Sequence, residues 1–323
     1  MSASDEADPP GPVPRESPAT IRSPGAGDGA PVSEFRRRKL EEDAQKNWDL
    51  FYKRNTTNFY KDRHWTTREF AELKACREFE AQRLVLLEAG CGVGNCIFPL
   101  LEEDLNIFVY ACDFSPRAVD FVKSSFSKIW DFTKLFDYLT ITSIHLAQQN
   151  PLFSTERCLA FQCDLTKDDL KASVPSETVD VVTLIFVLSA IHPDKMKQAL
   201  ENIYQVLKPG GVVLFRDYGL HDHAMLRFKP GNKLAENFYA RQDGTRSFFF
   251  SRGEWRAARR GRVSGRVREC FLPVFPEFLE NLFRQVGYEP VVNEYVQRET
   301  VNKKEGLCVP RVFLQSKFRR PMK

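Results

Sequence analysis

The sequence has little of what a metal centre or a membrane segment requires. Its eight cysteines form no Cys-x-x-Cys pair, and His221 and His223 have no third ligand at a suitable spacing, so we expect no metal site. No apolar run approaches the roughly 20 residues of a transmembrane helix, and we expect neither a membrane span nor a signal peptide. Scattered cysteines of this kind favour a reducing compartment, which predicts a cytoplasmic protein, with the nucleus as a second location.

A strong net charge is also lacking. The formal charge is +4 at pH 7, which is too small to indicate nucleic-acid binding by itself. Basic residues are nevertheless concentrated in the stretches 35–77, 252–268 and 298–320, with acidic residues interspersed in the first. The distribution of charge is therefore more informative than its sum.

The chain divides into three predicted parts. Pro, Gly, Ser and Ala dominate residues 1–33, which we expect to be a disordered tail. Residues 34–82 are predicted to be a helical and loop region, in which Ser33 can cap a helix that continues to Tyr52 and a second helix follows near 67–81. The remainder, to residue 320, has a different pattern and is predicted to be one domain.

In this third part, strands alternate with helices, which is typical of a mainly parallel α/β sheet. We predict five strands, a helix over 193–207 and a C-terminal antiparallel hairpin. The strands are expected at Leu84–Glu88, Ile107–Asp113, Leu159–Asp164, Val179–Phe186 and Val212–Asp217, and the hairpin at Tyr288–Gln297 and Val309–Lys317. The stretches 124–148 and 252–276 are longer than connections require, and we expect them to be insertions.

A glycine-rich turn follows the first strand, within Leu84–Asn95. Gly90, Gly92 and Gly94 allow the backbone to approach a ligand closely. A dinucleotide-binding fingerprint places its third glycine three positions after the second, whereas the interval here is two. The tighter spacing favours a nucleoside joined to an amino acid over a ligand with a pyrophosphate.

Acidic residues at two strand ends strengthen this interpretation. Asp113 can accept both ribose hydroxyls, and Asp164 can accept the adenine amino group between Leu165 and Ile185. Either carboxylate alone could equally be a helix cap. Together with the glycine turn they predict a class I, Rossmann-like methyltransferase fold that binds S-adenosylmethionine. Glu88 could bind the methionine end through water or could fix the loop.

Trp48 and Tyr52 lie one helical turn apart and therefore share a face of the first helix. Because a sulfonium is positively charged, these aromatic rings could form a lid over the cofactor. The alternative, which the pattern alone favours slightly, is hydrophobic packing of the helix on the sheet.

Four basic residues are candidates for contact with RNA. Arg63 and His64 lie in a loop rich in polar and aromatic groups, which could bind phosphate, stack on a base or close over the cofactor. Arg216, at the end of the fifth strand, could hold a phosphate, and Arg246 belongs to a basic and aromatic segment of the kind that suits looped RNA. The alternatives are surface ion pairs and solvated faces.

The Asn/Asp-Pro-Pro-Tyr motif of methylases that act on exocyclic amines is absent. Residues 186–192 occupy its place and read Phe-Val-Leu-Ser-Ala-Ile-His. This difference favours a ring nitrogen, or some other acceptor, over an exocyclic amine.

These features resemble the eukaryotic methyltransferases that form 3-methylcytidine in RNA. The resemblance covers roughly 34–123, 149–250 and 277–320. It is carried by Trp48–Tyr52, Asp62–Trp65, Leu87–Asn95, Ala111–Pro116, Gln162–Asp169, Leu184–Asp194, Leu207–Tyr218 and Asn293–Leu314. Within the family, Asn47–Asn55 and Glu299–Leu307 are most similar to the cytoplasmic branch that acts on serine tRNAs. The two insertions have no counterpart in the family pattern; they are lineage-specific, an added RNA-binding loop, or non-coding sequence.

The resemblance implies methyl transfer from S-adenosylmethionine to ring nitrogen 3 of the anticodon-loop cytidine, position 32, of serine tRNAs, with recruitment by seryl-tRNA synthetase. It assigns cofactor binding to Trp48, Tyr52, Gly90, Asp113, Asp164, Leu165 and Ile185. Because the methylated base is cationic, Asp217 at the end of the fifth strand is our candidate catalytic carboxylate. The alternatives are methylation of a protein or small molecule and a non-catalytic cofactor-binding scaffold.

Overall fold

The computed structural model describes residues 32–75, 83–103, 106–125, 157–251, 255–257, 271–273, 278–302 and 307–322. Most of the predicted tail at 1–33 and of the predicted insertions at 124–148 and 252–276 lies outside these residues. In the second insertion, the described pieces Trp255–Ala257 and Phe271–Pro273 pair as a small antiparallel sheet.

Two helices occupy the region where the sequence predicts one. α1 (Glu34–Glu42) begins at Ser33, whose Oγ accepts a hydrogen bond from the Arg36 N–H at 3.4 Å, so the predicted cap is confirmed. Asp43 separates α1 from α2 (Ala44–Asn55). The helical chain thus changes direction once before it reaches the aromatic residues of α2.

Two short helices, α3 (Thr66–Glu69) and α4 (Glu72–Ala75), occupy the described start of the helix predicted near 67–81. Phe70 interrupts them because its backbone is extended, with φ −122°, and its side chain is buried.

Twelve strands are described, and seven of them form the central sheet. The strands are β1 (Leu84–Ala89), β2 (Ile107–Asp113), β3 (Cys158–Gln162), β4 (Val179–Ile185), β5 (Leu207–Tyr218), β6 (Lys233–Ala235), β7 (Phe238–Ala240), β8 (Arg246–Phe248), β9 (Trp255–Ala257), β10 (Phe271–Pro273), β11 (Glu289–Asn302) and β12 (Leu307–Arg319). The order in the central sheet is β11-β12-β5-β4-β1-β2-β3. The first five strands are parallel and β12 is antiparallel to both of its neighbours, which confirms the predicted fold class.

Helices cover both faces of this sheet. They are α5 (Ile97–Glu103), α6 (116–125), α7 (Pro193–Val206), α8 (His223–Leu226) and α9 (Phe278–Val286). Leu87 belongs to the core that contains the buried faces of α7 and α9, whereas its neighbour Leu86 belongs to the core on the α5 and α6 side. Both leucines are fully buried, as is typical of a parallel strand covered on two sides.

The sheet order reverses at β1, which pairs with β2 on one side and with β4 on the other. In open α/β sheets, ligands bind outside the carboxyl ends of the strands at such a reversal. The carboxyl ends of β1, β2 and β4 therefore mark the expected position of a ligand site.

None of the helices in the described ranges combines the length and the apolar character that crossing a membrane demands. The same residues contain no group of three or more His, Cys, Asp or Glu side chains placed to hold a metal ion.

Candidate active site

A cleft opens at the carboxyl ends of β1, β2 and β4, beneath α2. Its empty volume is about 940 Å³, part of it open to solvent. We call it the main cleft. It brings together six of the seven predicted cofactor residues, which are Trp48, Tyr52, Gly90, Asp113, Asp164 and Leu165.

The glycine turn forms the floor of the main cleft. Gly90 and Gly92 have φ angles of 70° and 55°, which favour glycine. A Cβ atom on Gly90 would lie 2.5 Å from a methyl group of Val187, and one on Gly92 would lie 3.1 Å from the Tyr52 hydroxyl. The turn therefore needs glycine both for its conformation and for the close approach of neighbouring side chains.

Asp113, at the end of β2, links this turn to the next one. Its Oδ2 accepts a hydrogen bond from the Gly92 N–H and its Oδ1 accepts one from the Ser115 N–H, each at 2.9 Å. Burial raises the pKa of Asp113 to about 6, although these backbone donors oppose the shift. The carboxylate is thus mainly ionised at neutral pH, and its remaining lone pairs can accept the two hydroxyls of a ribose.

Asp164 follows β3 and is half-buried. Its Oδ1 accepts hydrogen bonds from both the N–H and the hydroxyl of Thr166, at 2.9 and 2.7 Å, and Lys167 lies 3.1 Å from Oδ2. Burial raises the pKa of Asp164, but these partners outweigh it and the pKa is lowered. Asp164 therefore stabilises its own turn, and the adenine contact stays a prediction.

The aromatic face of α2 covers the main cleft. Trp48 and Tyr52 have ring centroids 6.0 Å apart. Polar contacts tie the helix to the loop after β2: Gln45 Nε2 donates to the Phe114 carbonyl at 2.6 Å, and the Ser115 hydroxyl donates to Asp49 at 3.0 Å. This arrangement places the predicted lid residues over the cleft.

Ile185 is placed differently from the other six residues. Its side chain is buried in the core on the α5 side of the sheet and does not line the main cleft. The next two residues, Phe186 and Val187, line the cleft instead. Phe186 has a φ of 61°, so the chain turns sharply as β4 ends. This turn gave no glycine or proline signal in the sequence.

A second cavity adjoins the main cleft, and we call it the aromatic cavity. It is lined by Trp48, Phe51, Arg54, Asn55, Phe59, Tyr60, Tyr218, Arg241, Asp243 and Thr245, and its empty volume of about 760 Å³ is partly open. Trp48 lines both spaces. In addition, the ring of Phe186, in the main cleft, lies 5.1 Å from that of Tyr218. Of the individual site residues predicted from the sequence, only Trp48 lines this cavity, whereas Arg241, Asp243 and Thr245 belong to the basic and aromatic segment that contains Arg246.

The hydroxyl of Tyr60, in the aromatic cavity, does not ionise near neutral pH. Burial raises the pKa of Tyr60 far above its usual value, and the hydroxyl of Tyr218 and the negative charge of Asp243 act in the same direction. Tyr60 is therefore a neutral ring and hydrogen-bonding group, not a general base.

Two of the basic residues predicted to contact RNA are buried within the protein. The Arg216 guanidinium carbon lies 4.4 Å from the Trp65 ring centroid, and its Nη1 lies 3.7 Å from Glu69. Arg246 forms an ion pair with Glu41 and lines the main cleft. Their positive charges are compensated internally, so the proposed contacts with RNA stay untested predictions.

The loop that carries the other two candidates is partly exposed. Arg63 is largely buried, with its Nη1 donating to the Ile185 carbonyl at 3.3 Å and lying 3.9 Å from Glu88. His64, the next residue, is exposed. Of the four candidates, His64 is the residue most accessible to a macromolecule.

Asp217 is fully buried and lines neither cavity. Its Oδ2 accepts a hydrogen bond from the Ser189 N–H and its Oδ1 accepts one from the Tyr218 N–H, each at 2.9 Å. Burial raises its pKa to about 6. The predicted catalytic role stays untested; the contacts found make Asp217 a residue that positions Tyr218 beside the aromatic cavity.

Glu88 lies behind the glycine turn and is 2% exposed. Burial raises its pKa from 4.5 to about 8; the positive charge of Arg63 opposes the shift and the negative charge of Asp113 adds to it. At neutral pH Glu88 is therefore mostly protonated. This placement supports the predicted alternative in which Glu88 fixes the loop.

Glu88→Gln should stabilise the protein increasingly as the pH rises. The unfolded chain loses the Glu88 proton near pH 4.5 and the folded protein loses it near pH 8, so wild-type stability falls between these values and then levels off. We expect the unfolding free energy of the variant, relative to wild type, to grow by about 1.4 kcal/mol per pH unit in this interval. Urea unfolding at several pH values measures it.

Glu69→Gln is the matched control for this series. The pKa of Glu69 is lowered because its ion-pair partners outweigh burial, so its stabilising effect is lost only as the pH falls into the acid range. A stability difference for Glu88→Gln that did not vary between about pH 5 and 8 would contradict the raised pKa.

Comparison with known proteins decides the family. Residues 52–293 match the family model described as a methyltransferase domain. The chain is 63% identical to the Homo sapiens protein named tRNA N(3)-cytidine methyltransferase METTL6, over 90% of this chain and 86% of that protein. The chain belongs to the tRNA N(3)-cytidine methyltransferase family. The predicted resemblance is thereby confirmed.

Other members of the family are similar over comparable lengths. METTL6 of Mus musculus is 63% identical over 92% of this chain and 88% of that protein. METTL2 of Danio rerio, which carries the same activity in its name, is 34% identical over 90% of this chain and 77% of that protein.

The family uses S-adenosylmethionine, and the main cleft fits this cofactor. The cleft offers a buried carboxylate in Asp113, a half-buried one in Asp164, the backbone of Gly90 and a cover of aromatic rings. Carboxylates suit ribose hydroxyls and an amino group, whereas aromatic rings suit a sulfonium. The predicted cofactor is therefore consistent with the donor set of the site.

Proposed function

We propose that the chain methylates ring nitrogen 3 of the cytidine at position 32 in the anticodon loop of serine tRNAs. The main observation in support is that the main cleft and the aromatic cavity share the side chain of Trp48. A base held in the aromatic cavity would face a methyl donor held in the main cleft past the edge of this shared ring. Reacting groups held in this way gain much of their rate from orientation.

The residues of the aromatic cavity suit a single flipped base. Tyr60, Tyr218 and Trp48 offer ring faces for stacking, and an anticodon-loop nucleotide can leave its stack at modest cost. Neutral cytosine carries a lone pair on ring nitrogen 3, so these residues need to orient the base and do not need to remove a proton. The aromatic faces then stabilise the cationic base that forms.

The main cleft would hold the other reactant. Asp113 would accept the ribose hydroxyls, Asp164 and Leu165 would bind the adenine, and Trp48 with Tyr52 would cover the reactive end. When bound, S-adenosylmethionine supplies a methyl group on a positively charged sulfur. Asp217 would act through its neighbour, keeping Tyr218 in position at the wall of the aromatic cavity.

The partner and the location are further parts of the proposal. Exposed basic residues on α1 and α2, among them Arg36, Arg38 and Lys53, would contact the tRNA phosphates, while seryl-tRNA synthetase would supply recognition of the tRNA as a whole. The free cysteines of the described residues, such as Cys91 and Cys163, suit the reducing conditions of the cytoplasm and of the nucleus.

Methylation of deacylated serine tRNA with labelled cofactor, with and without seryl-tRNA synthetase, tests the proposal. We expect label in 3-methylcytidine at position 32 and none in a tRNA whose position 32 is uridine. Label only in protein or small molecules would favour another substrate class. Cofactor binding without transfer to any substrate would favour a non-catalytic scaffold.

A further inference from the structure

The turn 241–245 forms one wall of the aromatic cavity and is tightly held. The Arg241 N–H donates to the Thr245 carbonyl at 2.7 Å, and the Gly244 N–H donates to the Arg241 carbonyl at 3.1 Å. Asn47 of α2 donates from Nδ2 to the Gly244 carbonyl at 3.1 Å. Gly244 has a φ of 83°, and a Cβ there would lie 2.7 Å from Asn47. The wall is therefore fixed relative to α2.

Asp243 belongs to this turn and lines the aromatic cavity, and one of its carboxylate oxygens already accepts hydrogen bonds within the turn. Oδ1 accepts hydrogen bonds from the Thr245 N–H at 2.9 Å and from the Thr245 hydroxyl at 2.7 Å. Among the described residues, Oδ2 has no hydrogen-bond donor and the carboxylate forms no ion pair. Asp243 thus presents an oriented, negatively charged acceptor in a space lined largely by aromatic rings.

The nearest cation of the turn does not neutralise this acceptor. Arg241 uses its Nη1 to donate to the Arg246 carbonyl at 2.7 Å and to the Thr245 hydroxyl at 3.4 Å. Its guanidinium carbon lies 5.8 Å from the Tyr218 ring centroid. Among the described residues, the second carboxylate oxygen of Asp243 is therefore left to accept a hydrogen bond from a ligand in the aromatic cavity.

We propose that Asp243 accepts a hydrogen bond from the exocyclic 4-amino group of the target cytosine and so selects cytosine over uracil. The inference rests on the proposed function and deepens it. Uracil presents an oxygen where cytosine presents the amine, so it would place two acceptors against each other. Sites built around a polar partner discriminate strongly against an analogue that lacks it.

The same contact would favour the reaction. The lone pair of ring nitrogen 3 forms the new bond to the methyl carbon, and the electron pair of the breaking carbon–sulfur bond stays on sulfur. The positive charge therefore moves to the base and spreads to the 4-amino group, and no proton needs to be transferred. A carboxylate that accepts a hydrogen bond from that amine interacts more strongly with the charged product than with neutral cytosine.

A cycle of two enzymes and two RNAs tests the assignment. Wild type and Asp243→Ala are each given serine tRNA that carries at position 32 either cytidine or its analogue without the 4-amino group, pyrimidin-2-one riboside. Each single change should lower kcat/KM about ten- to hundredfold, as expected for one hydrogen bond to a charged group. In the variant, removal of the amine should cost only the lower intrinsic reactivity of the analogue, so the loss for the double change should be about ten- to hundredfold smaller than the product of the two single losses.

The analogue has a lower intrinsic reactivity than cytidine, and this lowers kcat/KM by the same factor for both enzymes. The factor therefore cancels in the cycle. If the two losses multiply instead, Asp243 does not contact the amine and the assignment is wrong. Asp243→Asn, which keeps the size of the side chain, repeats the cycle should the alanine variant fail to fold. Glu236→Gln removes one charge from the loop between β6 and β7, at a side chain that is 82% exposed, and it should behave as wild type.

Two further readouts separate this inference from the proposed function. Asp243→Ala should bind S-adenosylhomocysteine with unchanged affinity, because Asp243 does not line the main cleft. If wild type forms no 3-methylcytidine in any tRNA, the proposed function fails and this assignment fails with it. If wild type forms 3-methylcytidine but the cycle shows no coupling, only the role of Asp243 is overturned.

Discussion

Replacing Asp113 by alanine should weaken S-adenosylhomocysteine binding at least about 100-fold and abolish methyl transfer at ordinary cofactor concentrations. The variant loses the acceptor for the two ribose hydroxyls, and each hydrogen bond to a charged group contributes about 1.5–3 kcal/mol. It also loses the bond from the Gly92 N–H, so the turn beneath the cofactor loosens. Isothermal titration calorimetry measures the affinity, and unchanged binding would contradict the ribose assignment.

Because Asp113 titrates close to neutral pH, we also expect cofactor binding to depend on pH. Its pKa of about 6 means that protonation removes the acceptor as the pH falls, so the Kd should be constant above about pH 7 and rise toward tenfold per unit below pH 6. Glu88 stays protonated in this lower range. Asp217 titrates near the same pH but lies outside the cleft, so Asp217→Asn should keep the pH dependence and Asp113→Asn should lose it.

The sheet could be predicted from the sequence because parallel strands that are covered on both faces produce short, continuous apolar runs. β2 was predicted with its observed bounds, and β1 and β4 to within one residue. The side of the sheet that a residue faces is harder to predict, because side chains alternate along a strand and an error of one position reverses the face. Ile185 illustrates this: its neighbour Phe186 lines the cleft and Ile185 does not.

The burial of charged residues could not be predicted from the sequence in the same way. Arg216 has its ring partner Trp65 and its carboxylate Glu69 in a distant part of the sequence, and nothing near Arg216 indicates them. The aromatic cavity is likewise built from α2, the loop after it, the end of β5 and the turn 241–245. Local patterns predict elements, whereas such sites depend on which elements the fold brings together.

Trp48→Ala should impair the binding of both reactants, the cofactor and the target base. Of the described residues, Trp48 alone lines both the main cleft and the aromatic cavity. Loss of its ring removes a stacking surface for the base, worth about 1–3 kcal/mol, and an aromatic face near the sulfonium, worth about 2 kcal/mol. We expect kcat/KM for tRNA to fall roughly 10²- to 10⁴-fold and cofactor affinity to fall about 30-fold, with Trp48→Phe retaining part of each.

Variants that touch one cavity each make this prediction specific. Tyr52 lines only the main cleft and Phe59 lines only the aromatic cavity. Tyr52→Ala should therefore weaken S-adenosylmethionine binding, whereas Phe59→Ala should raise the KM for tRNA and leave cofactor affinity unchanged. If Trp48→Ala behaved like either of these single-cavity variants, one of its two ring contacts would be absent. The proposed geometry of methyl transfer brings donor and base together beside Trp48 and therefore requires both contacts. That result would also count against this geometry.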